Sequence, residues 1–110
     1  MENKEADTVQ LVIEPGICGF PGSIRVQRTG RYTVKLEIKS GCQQIKGLAS
    51  VLEEIAMSEL FLPASRNPVY RAAEQAGCHP SCPYPSAILK AAEVALEMAL
   101  PKEVTFRFRK

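Results

Sequence analysis

Four cysteines, Cys18, Cys42, Cys78 and Cys82, and the single histidine, His79, are the residues of this 110-residue chain best suited to soft-ligand or nucleophilic chemistry. Thiolates bind zinc, build iron-sulfur clusters and carry sulfur, and all three uses depend on how many sulfurs can meet. For a tetrahedral zinc site the residues offer two sets: the four cysteines, or three of them with His79 in place of Cys78. His79 and Cys82 have the usual two-residue gap of metal ligands, whereas Cys78 and Cys82 have three residues between them and Cys18 and Cys42 stand singly. The plainer alternative is that the cysteines are small buried hydrophobes. Their places in loops and at helix starts, away from the apolar faces that hold Leu11, Leu36 and Leu48, fit that alternative poorly.

The elements that must position these sulfurs can be read from periodicity. Val9, Leu11 and Ile13 alternate as a strand that Pro15-Gly16 ends, and the loop PGICGFPGS then carries Cys18 among glycines. Those glycines read first as turn residues and second as positions where backbone amides could approach a thiolate or a cluster sulfur. Ile24 and Val26 open a second strand, Thr29-Gly30 turns the chain, and Val34, Leu36 and Ile38 alternate along a third. Ser40-Gly41-Cys42-Gln43 has capping-box spacing, so a first helix is expected from Ser40 through Ile45, Leu48, Leu52 and Ile55. Asn67-Pro68 starts a second helix that stops at Gly77. A third begins near Cys82-Pro83 or Tyr84-Pro85, buries Ile88, Leu89, Ala92, Ala95, Leu96 and Ala99, and is closed by Pro101. Val104, Phe106 and Phe108 alternate with Arg107 and Arg109 as a last strand, whose arginines read as a solvated face.

The expected architecture is therefore a small single α+β domain over residues 9–110, after a flexible stretch at 1–8. Its element order is β-β-β-α-α-α-β, with a hairpin-containing sheet and helices on one face. In that topology the hairpin returns Cys42 to the sheet edge that holds Cys18, and an antiparallel helix pair brings the Cys78 to Cys82 loop back to the same edge. Cys42 and Cys82 would then sit at helix N-termini, where free N–H groups and the macrodipole favour a thiolate and lower its pKa.

Composition sets the limits on function. Apolar residues at 45% and charged residues at 24% lie in the globular range, which argues against disorder, and a formal charge of +2 is too small to mark a nucleic-acid or membrane surface. Met1 to Gln10 has no apolar signal core and no run is long enough to span a bilayer, so a cytoplasmic protein is expected. In that reducing compartment thiols favour metal or redox chemistry over disulfides. There is no serine-histidine-acid set, P-loop or dinucleotide fingerprint, so hydrolase, nucleotide-dependent and dehydrogenase roles have no positive support. Whether the chain is an enzyme is left open by these residues.

Three resemblances add to this. Pro15-Gly16-Ile17-Cys18-Gly19-Phe20, Cys42 at a helix entry, and the run Cys82-Pro83-Tyr84-Pro85-Ser86-Ala87-Ile88-Leu89-Lys90-Ala91-Ala92-Glu93-Val94-Ala95 to Ala99-Leu100-Pro101-Lys102 resemble a family of small four-cysteine proteins of anaerobic bacteria and archaea with no established activity. That resemblance covers nearly the whole chain and implies a shared cysteine site. Cys82-Pro83 also resembles the cysteine-proline that ends the bacterial ferredoxin run, although C-x2-C-x2-C is missing. The C-P-x-P of Cys82, Pro83 and Pro85, with Lys90 in the helix it opens, is similar to the TusA-like sulfur carriers, which implies a persulfide on Cys82. In those carriers the motif follows the first strand, whereas here it follows three expected strands and two helices.

The leading expectation is a thiolate site of Cys18, Cys42, Cys78 and Cys82, with His79 as alternative ligand, holding zinc or an iron-sulfur cluster. The rival is a sulfur carrier or thiol-redox protein with Cys82 as its nucleophile and Cys42, Cys78 or Cys18 as resolving thiol. The third is an interaction module with structural cysteines and no cofactor. A redox or sulfur-transfer protein is the expected partner, neither nucleic acid nor membrane is, and a homodimer is left open.

Overall fold

The computed structural model describes residues 8–109. The stretch expected to be flexible, 1–8, lies outside the described residues except for Thr8, which already belongs to the first strand. Four strands, β1 (Thr8–Ile13), β2 (Gly22–Arg28), β3 (Thr33–Ser40) and β4 (Glu54–Ala56), form one antiparallel sheet in the order β1-β2-β3-β4. Four helices, α1 (Gln43–Val51), α2 (Met57–Leu60), α3 (Pro68–Gln75) and α4 (Tyr84–Ala95), complete an α+β domain.

Pairing follows the alternation in the sequence. Val9 faces Val26, Leu11 faces Ile24, Ile24 faces Ile38, and Val26 faces Leu36, so one face of the sheet is apolar throughout. Ile24, Val26, Val34 and Ile55 are fully buried there beneath Ile45, Leu48, Val69, Tyr84 and Ile88 from the helices. The other face carries Gln10, Ser23, Arg25, Gln27, Glu37 and Lys39. A sheet polar on one side and covered on the other is the two-layer solution expected for an antiparallel α+β domain.

The element order departs from expectation in five places, one of them the short additional helix α2. The first helix ends at Val51, because Leu52 turns extended and the Glu53 carbonyl accepts the Leu36 N–H at 2.8 Å. Ile55 therefore lies in β4, opposite Val34, and not on a helix. Ser40 is the last residue of β3, so the expected capping box does not form and Cys42 takes the N-cap position. Helix α4 stops at Ala95: Glu97 adopts φ 61°, and the Glu97 and Met98 N–H groups return to the carbonyls of Val94 and Glu93 in a Schellman-type closure. Ala99 is consequently exposed rather than on a buried helical face. Finally, Val104 to Phe108 form no strand; residues 101–109 are irregular and exposed, and the fourth strand of the sheet is β4. Among the described residues no helix is long and apolar enough to cross a membrane.

Among the described residues, Asn67 is the one buried polar residue in the core, 1% exposed. Its carbonyl oxygen accepts the Val69 N–H at 3.0 Å and caps α3, as the sequence led us to expect. Its amide donates toward the Glu59, Leu60 and Leu62 carbonyls at 3.2–3.3 Å, joining the end of α2 to the start of α3.

Candidate functional site

Each cysteine is set by a short backbone device. Cys18 ends a 3-10 turn, Gly16–Cys18, closed by the Gly19 N–H on the Gly16 carbonyl at 3.0 Å, and it is exposed. Cys42 caps α1; its N–H donates to Ser40 Oγ at 3.1 Å, and its thiol donates to Gln44 Oε1 at 3.2 Å. Cys78 follows the Schellman closure of α3. There Gly77, at φ 78°, occupies the left-handed position that a Cβ would penalise, and the Cys78 N–H returns to the Ala73 carbonyl at 2.9 Å. Cys82 ends a turn in which its N–H reaches the His79 carbonyl at 3.0 Å, with Pro80 supplying the fixed φ of the second position. Pro83 then caps α4.

Tyr84, two residues beyond Cys82, joins these devices. It is 1% exposed, and its hydroxyl reaches two partners distant in sequence: it donates to the Phe20 carbonyl at 2.8 Å and shares a hydrogen bond of 3.1 Å with Ser40 Oγ. Phe20 lies in the Cys18 loop and Ser40 holds the Cys42 N–H, so one phenol oxygen ties three cysteine-bearing segments to the Ile13, Gly22 and Ser40 end of the sheet. Gly22 makes room for this arrangement. A Cβ there would overlap the Lys39 carbonyl and press on the Tyr84 hydroxyl. Gly41 lies beside the Phe20 ring, with its Cβ position 3.4 Å from that ring, an ordinary contact with room for a methyl group.

The thiols feel one another's charge. The Cys78 thiol is pushed above the ordinary thiol range by burial, then by Cys82 and Cys42. Burial also pushes up Cys82; the Tyr84 N–H at the start of α4 opposes this, and the charges of Cys18 and Cys42 add to the rise. Tyr84 itself is raised by burial, against its bond to Ser40, and further by Cys18, Cys82 and Cys42. All four cysteines are thus connected through these effects, and the charges that reach Cys78 and Cys82 come from other cysteines. The expectation that a helix N-terminus would leave Cys82 with a lowered pKa is overturned: one N–H does not outweigh burial and like-charge neighbours.

All four cysteines are free thiols. Among the described residues no group of three or more His, Cys, Asp or Glu side chains is gathered tightly enough to hold a metal ion as it stands. His79 is exposed and enters the site through its backbone carbonyl, and Lys90 is exposed on α4. The two residues that the sequence reading passed over are Tyr84, seen as a helix-start residue, and Ser40, seen as a cap. No local signal marked Tyr84: its burial comes from the tertiary fold, and the partners a buried phenol needs lie 64 and 44 residues away.

Fold and site together define a small α+β domain with four free thiols in loops and at helix starts, three of their segments joined by the Tyr84 hydroxyl. The chain belongs to the family of unknown function DUF6951, whose model matches residues 9–108. No curated protein and no solved structure matches the chain.

Proposed function

We propose that Cys18, Cys42, Cys78 and Cys82 act as one thiolate site that binds a soft metal centre. The observation that carries this reading is the Tyr84 hydroxyl, which holds the Cys18 loop and the Ser40-Cys42 corner against the start of α4. Burial and then the charges of neighbouring cysteines push Cys78 and Cys82 up, which is an unfavourable setting for anions, and a cation placed beside them would reverse that penalty. The donor set is all sulfur, which suits zinc or iron-sulfur chemistry over magnesium or calcium. Between those two we take a cluster first, because Cys82-Pro83 resembles the cysteine-proline that ends the bacterial ferredoxin run. One tetrahedral zinc ion would need sulfurs about 3.8 Å apart around bonds of about 2.3 Å, and a cluster spreads its thiolates more widely. The centre would supply electron transfer or structural cross-linking, and the chain's own contribution would be to hold the four sulfurs at one corner.

Anaerobic purification followed by an absorption spectrum and analysis for iron, sulfide and zinc tests the reading. Stoichiometric iron with sulfide, lost in Cys18→Ser, Cys42→Ser, Cys78→Ser and Cys82→Ser, is expected. Stoichiometric zinc keeps the site and changes its occupant, and a protein that takes up neither on reconstitution overturns it.

One contact favours a second reading. The Tyr84 N–H at the start of α4 lowers the Cys82 thiol against the rise from burial, as a persulfide-bearing residue at a helix start would require. In that scheme the Cys82 thiolate attacks the outer sulfur of a donor persulfide, a new S–S bond forms, and the donor leaves as its thiolate. Added sulfur on Cys82 after incubation with a cysteine desulfurase, seen by mass spectrometry, would support it. The raised Cys82 thiol weighs against it.

A further inference from the structure

We infer that residues 103–109 form the fifth strand of a second copy's sheet, added at the β1 edge, so that two chains exchange tails in a dimer. Three independent features meet in this inference. Val104, Phe106 and Phe108 fall on one side of an alternating segment and are 55%, 82% and 96% exposed, while Thr105, Arg107 and Arg109 fall on the other. Among the described residues, no ladder includes this segment.

The receiving edge is β1, the end strand of the sheet. Natural edge strands are guarded against pairing by charges, proline, bulges or a covering element. The strand TVQLVI has no charged residue and no proline, so it carries no side-chain guard and no cation to repel Arg107 or Arg109. Helix α4 packs on β1, yet among the described residues the inner face stays partly exposed along this edge. Val9 and Leu11, on the inner face, are only half-buried, whereas their partners Val26 and Ile24 are wholly buried. A strand added beside β1 with its apolar side inward would cover them.

The occupant is a second copy because each chain supplies both halves of the contact and the tail stands off its own sheet. Helix α4 ends near the β2 terminus, where Arg28 pairs with Glu97 at 3.6 Å, and the chain then bends so that the Lys102 N–H meets the Leu100 carbonyl at 2.9 Å. Extended, residues 101–109 span about 30 Å, and the molecule measures 49 Å along its long axis against 29 and 25 Å across. Each phenylalanine ring buries on the order of 150–250 Å². Four rings in two exchanged tails, with the surfaces they cover, come to about 1,600 Å², the size of a specific interface.

The test is light scattering after gel filtration of the full chain in reductant, which prevents intermolecular disulfides through exposed Cys18 from imitating a dimer. It is combined with hydrogen exchange of Val9–Ile13. A dimer is expected in which these edge amides are protected. The double variant Phe106→Asp and Phe108→Asp alters only exposed side chains, and it should weaken dimerisation by at least about 100-fold and release the β1 amides while the circular dichroism is unchanged. A full chain that is monomeric at 100-fold dilution and at high concentration alike, a dimer that the double variant leaves intact, or β1 protection that does not respond to it would each overturn the inference.

Discussion

Replacing Tyr84 with phenylalanine removes one oxygen from the wall of the cysteine site and leaves the buried ring in place. That oxygen makes two hydrogen bonds, at 2.8 Å to the Phe20 carbonyl and 3.1 Å to Ser40 Oγ. Each such bond contributes about 0.5–1.5 kcal/mol net, so Tyr84→Phe should cost roughly 1–3 kcal/mol in unfolding free energy. For a domain of this size that lowers the thermal midpoint by roughly 5–10 °C. Ser40 retains the Cys42 N–H, but the Cys18 loop loses its tie to α4. Affinity for a metal centre should therefore fall by about 10–100-fold, as when outer partners of ligands are removed. Thermal unfolding, metal or cluster content after anaerobic reconstitution, and the rate of thiol labelling at Cys18 report the three effects separately. If Tyr84 served only to fill the core, phenylalanine would serve as well. A variant with an unchanged midpoint, unchanged content and unchanged labelling would refute the reasoning.

Other perturbations separate the site from its scaffold. Gly22→Ala drives a methyl group against the Lys39 carbonyl and the Tyr84 hydroxyl, and it should cost about 1–3 kcal/mol and lower metal content with it, by denaturant unfolding and elemental analysis. Asn67→Ala removes the α3 cap and the amide bonded to the α2 carbonyls, for a loss of about 2–4 kcal/mol in urea unfolding, with metal content per folded chain unchanged. The pH dependence should change sign with occupancy. Cys78 and Cys82 are raised in the native state, so without metal their contribution is full below the unfolded thiol range, near pH 8.5, and is lost as pH rises through the native values. With a soft metal bound as thiolates, the unfolded chain holds more protons and stability rises with pH up to that range; urea midpoints from pH 7 to 10 compare the two forms.

How far the sequence carries is best seen at particular residues. The three-stranded meander, the Asn67-Pro68 start of α3 and the Gly77 stop all follow from local rules, and the structure has them where alternation and capping chemistry put them. Ile55 defeats such rules, because its spacing from Leu48 and Leu52 suits a helix while the β3 edge beside Val34 offers backbone bonds that a helix cannot reach. Val104 to Phe108 err in the opposite direction: a strand pattern is present, but within one chain it has no ladder. At the site, the hairpin reversal was legible, and it sets Gly22, at the end of the Cys18 loop, opposite Ser40, at the Cys42 corner. The phenol that pins their segments was not, since it acts across 64 and 44 residues of separation, beyond any local period. Nor was the upward shift at Cys82, which depends on how deeply neighbouring segments bury it.

Those separations also order events during synthesis. The turn at Cys18 and the corner at Cys42 close locally, but they are joined to one another only after the ribosome has added Tyr84 and helix α4 has docked, because the joining bonds span 64 and 44 residues. If the proposed metal centre is bound, a nascent chain would present dispersed thiols in place of a chelate, and loading would follow synthesis of helix α4. Delivery machinery would meet a folded protein, which favours insertion through the open Cys18 side over capture by an unfolded polypeptide.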